Sequence, residues 1–213
     1  MRALGPTVLE GRHIRLEPLR ARHRPGLLVA AQRLESWGFL SEDLRSPEAM
    51  DRFLAQALAA EDAGTEYAFA VVEQGGGTVV GSTRYLDVTP QHRGVEIGWT
   101  WYVPGVWGTA VNPEAKLLLL GHAFEAWGAL RVCLKTDHRN LHSQAALRKL
   151  GARHEGTLRS HRVRQDGSLR DTEMFSILPA EWPAVREALQ RRIEAALQGS
   201  DPGGLSGGRG APG

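Results

Sequence analysis

Residues 105–112 read Gly-Val-Trp-Gly-Thr-Ala-Val-Asn and join an alternating apolar run to a helix-forming one, a connection whose chemistry suits an anion. The first N–H groups of a helix have no intrahelical acceptor, and the macrodipole adds roughly half a positive charge there, so backbone alone can hold phosphate oxygens. Gly108 and Ala110 leave room for close approach, Asn112 is placed to cap the helix, and Pro113 suits the first helical position because its missing N–H costs nothing there. Taken alone, such a strand, turn and helix reads first as a structural connection. Among groups able to move protons, Glu96 lies on the alternating run 95–103, sharing a face with Gly98 and Thr100 and opposite Ile97. His161 has an imidazole whose ordinary pKa of about 6.5 suits proton removal near neutrality. Ser143 offers a hydroxyl in the first turn of a helix that Asn140 can cap. For Glu96 and His161 a solvated strand residue is the structural alternative, and for Ser143 an ordinary helix N-terminal serine. Cys133, between Val132 and Leu134, reads as a buried inert thiol. His122, His138 and His142 lack metal-ligand spacing, so no metal is expected.

These residues need a scaffold, and periodicity supplies one. Alternation predicts strands over 13–17 and 95–103, β-branched and aromatic residues predict strands over 67–73 and 78–88, and 131–137, 154–164 and 169–178 also read as strands. Gly75-Gly76-Gly77 and Asp166-Gly167 supply two hairpin turns. Helices are predicted over 22–35, from Ser46-Pro47 to 63, over 113–127, 141–150 and 180–198, the last with Trp182, Val185, Leu189, Ile193 and Leu197 as its apolar stripe. The order implies one α/β domain on a mixed sheet over 1–198, followed by a flexible Gly/Pro/Ser tail over 199–213.

Composition narrows the partners. Apolar residues make up 42% of the 213 and charged residues 23%, as in globular proteins, and no apolar run approaches the roughly 20 residues that span a bilayer. No secretory pattern opens the chain, so a cytoplasmic location without membrane contact is expected. The formal charge is only +2, with basic residues dispersed among acids; lysine appears only at 116, 135 and 149. Nucleic acid is not an expected partner.

Three segments together resemble the GNAT acetyltransferase superfamily and, within it, the RimJ/RimL-like group. Gly105-x-x-Gly108-x-Ala110 is similar to its pyrophosphate motif, Gln/Arg-x-x-Gly-x-Gly/Ala, departing at Gly105; Glu96-Ile-Gly-Trp precedes it, and Thr136-Asp-His-Arg-Asn140-Leu-His-Ser143 leads to Lys149-Leu-Gly-Ala152. The similarity extends more loosely from His13 to Leu178. It implies an α+β fold: a mixed, mostly antiparallel twisted sheet flanked by helices, whose central strands 95–103 and 131–137 splay to admit the pantetheine of acetyl-CoA. Backbone of Trp101, Tyr102 and Val103 would pair with the pantetheine, and the amides of Trp107, Gly108, Thr109, Ala110, Val111 and Asn112 would bind the pyrophosphate. Asn140 and Ser143 would line the channel, with capping as the structural alternative for Asn140. The helix 141–150 lacks the tyrosine that protonates the thiolate in many members, so Ser143 is the substitute acid, and Glu96 or His161 is the base. Trp37, Trp99 and Trp101 fall near the acceptor mouth or on the central strand, with core packing the alternative. The implied acceptor is a primary amine, a protein N-terminal α-amine or a small molecule such as an aminoglycoside, polyamine or amino acid; a homodimer is compatible with either. A non-catalytic acyl-CoA-binding module is the reading from a different class, motivated by Gly105 and the missing tyrosine.

Overall fold

In the computed structural model residues 5–35, 37–40 and 42–198 are described, and the expected tail 199–213 lies outside them. The elements run β1 (Leu9–Glu10), β2 (Ile14–Pro18), α1 (Arg24–Gln32), α2 (Pro47–Asp62), β3 (Tyr67–Glu73), β4 (Val79–Thr89), β5 (Gly94–Tyr102), α3 (Val111–Gly121), β6 (Arg131–Asp137), α4 (Leu141–Leu150), β7 (Arg153–Val163), β8 (Leu169–Ile177) and α5 (Trp182–Gln198). The strands form one sheet in the order β1-β2-β3-β4-β5-β6-β8-β7, antiparallel throughout except for the β5–β6 pair. No described helix is long and apolar enough to cross a membrane.

Local chemistry accounts for most of these boundaries. Ser46 Oγ accepts from the Ala49 N–H at 3.1 Å, Pro47 takes the first position of α2, and Met50, Phe53, Leu54 and Ala57 bury one stripe of that helix. Residues 67–72 of β3 are buried on both faces, so this strand reads as a nearly continuous apolar run. On β4, Arg84 and Tyr85 point to opposite faces: Arg84 lies over Phe53 of α2, while the Tyr85 hydroxyl donates to the Leu119 carbonyl of α3 at 2.5 Å. Helices therefore cover both faces of the sheet, and α5 docks on the α3 side through Trp182, whose indole N–H donates to Glu125.

Helix α3 begins two residues earlier than predicted. Thr109 Oγ1 accepts from the Val111 N–H at 3.3 Å, and Glu114 N–H bonds the Ala110 carbonyl at 2.9 Å, so Ala110 becomes the N-cap residue. Asn112 thus sits inside the first turn and does not cap. Pro113, now third, still falls among residues whose N–H would have no intrahelical partner.

The next residue ties this helix to the sheet edge. The buried Glu114 carboxylate accepts the N–H groups of Arg12, His13 and Ile14 at 2.7, 2.8 and 2.9 Å. A Cβ at Gly11 would lie 2.6 Å from its carboxyl carbon, so a side chain there would have to push the carboxylate away from its three donors. Glu114→Ala would leave these amides without their acceptor, at a cost of about 3 kcal/mol, a fall of about 6–12 °C in Tm for a chain of this size. Thermal melting checks this, and a drop under about 2 °C would contradict the anchoring role.

Candidate active site

Strands β5 and β6 pair only at Gly94 with Arg131, Val95 with Val132 and Glu96 with Cys133. Beyond Glu96 the ladder stops although both strands continue, leaving a cleft between their C-terminal halves. Across the other edge, β5 carries a bulge against β4: the register shifts between Ser82 and Arg84, and Trp99 adopts φ +49°. A left-handed tryptophan costs about 1–3 kcal/mol, offset here by packing on Phe53 (5.7 Å between centroids) and beneath the Arg84 guanidinium (5.0 Å). The extra residue inverts the alternation, which corrects one expectation. Thr100 does not share the face of Glu96; its hydroxyl meets Thr83 Oγ1 at 2.8 Å and Lys116 Nζ at 3.2 Å toward α3. Gly98 does share that face, since a Cβ on it would lie 2.8 Å from the Glu96 carboxylate.

Glu96 therefore ends the paired stretch at the point where the strands part. It is 4% exposed and bonded to Lys135 Nζ at 2.6 Å, and Asp87 lies 3.5 Å from the same ammonium. Burial raises its carboxyl pKa above the usual range; Lys135 opposes the shift and Asp87 adds to it. His161 is exposed on β7, next to Ser160 at φ +49°. Partial burial, then the charges of Arg162, Lys135 and Arg170, lower its pKa and favour the neutral imidazole, with Asp87 opposing them, so it feels the same cluster as Glu96. Cys133, the ladder partner of Glu96, is half-buried rather than enclosed; burial raises its thiol pKa, and Arg131 Nε lies 3.2 Å from its sulfur.

The connection from β5 to α3 first makes a short 3-10 turn over Pro104–Val106 and then reaches Gly108 at φ +77°, a conformation that favours glycine. Trp107 N–H donates to the Pro104 carbonyl at 3.0 Å, and Thr109 N–H reaches Val106 at 3.4 Å. With Val111 bonded to the Thr109 hydroxyl, the N–H groups of Gly108, Ala110 and Asn112, like that of Gly105 before them, meet no acceptor among the described residues. A Cβ on Gly108 or Gly105 would find no atom within 4 Å. The loop thus presents alternate amides to open space at the start of an eleven-residue helix, fitting a phosphate group. The predicted set narrows accordingly: the Trp107 amide is engaged within the loop, and its indole N–H donates to the Tyr102 carbonyl at 3.0 Å. On β5, Val103 N–H is taken by the Val80 carbonyl at 2.8 Å, so that amide faces β4 and not the cleft.

At the other wall, Asn140 does cap α4: its Oδ1 accepts from the Ser143 N–H at 3.0 Å. This fixes Ser143, whose half-buried hydroxyl makes no hydrogen bond among the described residues. Trp37 and Trp101 pack edge to face at 5.2 Å, 3% and 4% exposed, and so belong to the core. The turn of the β7–β8 hairpin is tied to the segment after α1, where Gln165 Nε2 donates to the carbonyls of Trp37 and Leu40 at 3.0 and 2.8 Å.

Two features escaped the sequence reading. Asp137 is 2% exposed and clamped by Arg164 through Nε (2.6 Å) and Nη2 (2.9 Å), with the Arg139 N–H closing an Asx turn at 2.9 Å. Burial would raise its pKa, but the Arg164 bonds and the Arg139 N–H outweigh it and hold the carboxyl below its usual value. Lys135, the partner of Glu96, is the other. Its signal was available: a lysine alternating with Cys133 and Asp137 on an interior strand needs an anion nearby.

A family model described as an acetyltransferase (GNAT) domain matches residues 13–153. A candidate acetyltransferase from T. thermophilus shares 38% identity at a TM-score of 0.77, covering 91% of this chain and 100% of its own. A GCN5-related N-acetyltransferase from Brucella melitensis superposes at 0.81 with 29% identity, covering 89% and 86%. RimL, a ribosomal L7/L12 alpha-N-protein acetyltransferase solved with coenzyme A, shares the fold at 0.71 with 16% identity, covering 81% and 98%. No curated protein sequence matches the chain.

Proposed function

The chain belongs to the GNAT acetyltransferase family and is an acetyl-CoA-dependent N-acetyltransferase, and from that premise we propose that its acceptor is the α-amine of a protein N-terminus, attacking the thioester directly in a ternary complex. The observation that carries the cofactor side is the parting of β5 and β6 after Glu96, with the open amides of Gly108, Ala110 and Asn112 at its far end. The fold shared with RimL, an alpha-N-protein acetyltransferase by name, supports the acceptor.

In this reading the amides of residues 108–112 and the start of α3 hold the pyrophosphate, and the unpaired edge of β5 around Trp101 and Tyr102 receives the pantetheine. Glu96 takes the proton from the amine directly or through one water, its raised pKa making it a stronger base than a solvated carboxylate. His161, neutral and close to the same charges, lines the acceptor side. Ser143 donates its proton toward the departing sulfur from a position set by the Asn140 cap. An α-amine, with an ordinary pKa of about 8, asks little of the base, so reactant alignment supplies much of the rate. Ser143→Ala is expected to lower kcat by about 100-fold, the low end for an acid catalyst, with the Kd for acetyl-CoA little changed. Steady-state kinetics paired with calorimetry checks this; an unaltered kcat removes the acid role.

Radiolabelled acetyl-CoA incubated with the enzyme and either cell-extract proteins or a panel of small amines tests the acceptor. Label at protein N-termini is expected. Label confined to small amines would overturn the protein acceptor, and no transfer to any amine would favour a non-catalytic acyl-CoA-binding module.

A further inference from the structure

On the acceptor side the sheet places like charges face to face. Arg162 of β7 and Arg170 of β8 are direct ladder partners, an arrangement that destabilises a strand pair unless something neutral or negative intervenes. With Asp137, Val163, Arg164 and residues 38–40 they line a cleft. Neither the Arg162 nor the Arg170 side chain has a hydrogen-bond or ion-pair partner among the described residues, and Arg170 Nε is buried with nothing to donate to. The nearby acids are already committed: Asp137 to Arg164 and the Arg139 N–H, Glu96 to Lys135, and Asp171 to the Ser160 N–H at 2.7 Å. Burial and the charges of Arg162 and Arg164 disfavour the charged form of Arg170, with Asp137 opposing them. Among the residues that line the cleft, Arg162, Arg164 and Arg170 face one carboxylate, Asp137, two cations in excess of its anions. The cleft adjoins the end of β6, next to His161 and within electrostatic reach of Glu96.

We infer that Arg162 and Arg170 form a carboxylate subsite of the acceptor cleft, so that the favoured acceptor carries a carboxylate close to the amine that is acetylated. The inference rests on the acetyl-transfer reading above. Guanidinium forks match the two oxygens of a carboxylate, and an anion between them would remove the repulsion that the ladder imposes. Polycationic acceptors, polyamines and aminoglycosides among them, are repelled by the same residues. The carboxylate has two sources, an acidic side chain near the N-terminus of a peptide or the α-carboxylate of a free amino acid.

The test uses matched acceptors with the full chain and saturating acetyl-CoA: peptides beginning Ser-Asp against Ser-Asn, and free serine against serine amide. In the wild type, kcat/KM is expected to favour the carboxylate-bearing member of one pair by about 10–100-fold, and the pair that discriminates identifies the source. Arg162→Gln and Arg170→Gln should each remove most of that ratio. Arg162 is exposed, so its variant should melt like the wild type. A ratio near one in the wild type, or a ratio unchanged in both variants, overturns the subsite. Calorimetry of N-acetylated Ser-Asp and Ser-Asn peptides and of N-acetylserine and its amide, each added to CoA-loaded protein, is independent of turnover. Were no acceptor acetylated, the acetyl-transfer reading would fail, and equal binding within both pairs would overturn the subsite separately.

Discussion

Replacing Gly108 with valine is expected to raise the Kd for acetyl-CoA by about two orders of magnitude or more while moving Tm by no more than a few degrees. No atom of the protein lies within 4 Å of a Cβ at this position, so the fold has room for a side chain. The penalty is in the backbone: φ is +77°, which costs an L-residue about 1–2 kcal/mol, and more when it is β-branched. A loop that relaxes out of this conformation turns the Gly108 and Ala110 amides away from the space they face. Each charge-assisted hydrogen bond lost from a phosphate removes about 1.5–3 kcal/mol, and two such losses exceed a hundredfold in affinity. Titration calorimetry with acetyl-CoA reads this directly. Binding within about threefold of wild type would mean that the turn does not hold the cofactor.

Glu96→Gln carries the second large effect. A positioned base contributes about 10²–10⁴-fold, and the lower end is expected here because an α-amine ionises readily, so kcat should fall by about 100-fold with acetyl-CoA affinity little changed. The sign with pH follows from the raised pKa. The base acts when deprotonated, so wild-type turnover rises as pH increases through that raised value, and the variant loses this limb. The substitution also leaves Lys135 with only the more distant Asp87. Glu96→Gln with Lys135→Met serves as the control, separating loss of the base from a stranded ammonium. An unchanged kcat and pH profile would move the base role to His161, and His161→Gln measured in parallel would show it.

Much of this scaffold was legible because its signals are local. The Ser46-Pro47 start marked α2, whose Met50, Phe53, Leu54 and Ala57 form its buried stripe, and the boundaries of β3 and α4 fall where the β-branched and aromatic run, Asn140 and Gly151 place them. The turn at Gly108 was legible for the same reason. The bulge at Trp99 was not, because its left-handed backbone is imposed by packing on Phe53 and Arg84, residues distant in sequence, and tryptophan carries no propensity for it. That one residue moved Thr100 to the other face. The start of α3 was misplaced because Asn112 is the better capping residue by type, while the Thr109 hydroxyl occupies the position from which capping is possible. Glu96 and Lys135 lie on neighbouring strands, and Asp137 of β6 meets Arg164 just past the end of β7, so only the ladder order brings each pair together.

The central claim is that the amides of residues 108–112 hold the cofactor by its pyrophosphate, and comparing two acyl donors tests it most directly. Acetyl-CoA and S-acetylpantetheine, which lacks the nucleotide and pyrophosphate, would be titrated calorimetrically into the wild type and Gly108→Val. Wild-type protein should bind acetyl-CoA at least about 100-fold more tightly, as expected from two or more charge-assisted bonds, and Gly108→Val should erase most of that difference by weakening acetyl-CoA alone. Equal affinities for the two donors in the wild type, or a variant that keeps the full difference, would contradict the assignment of this turn.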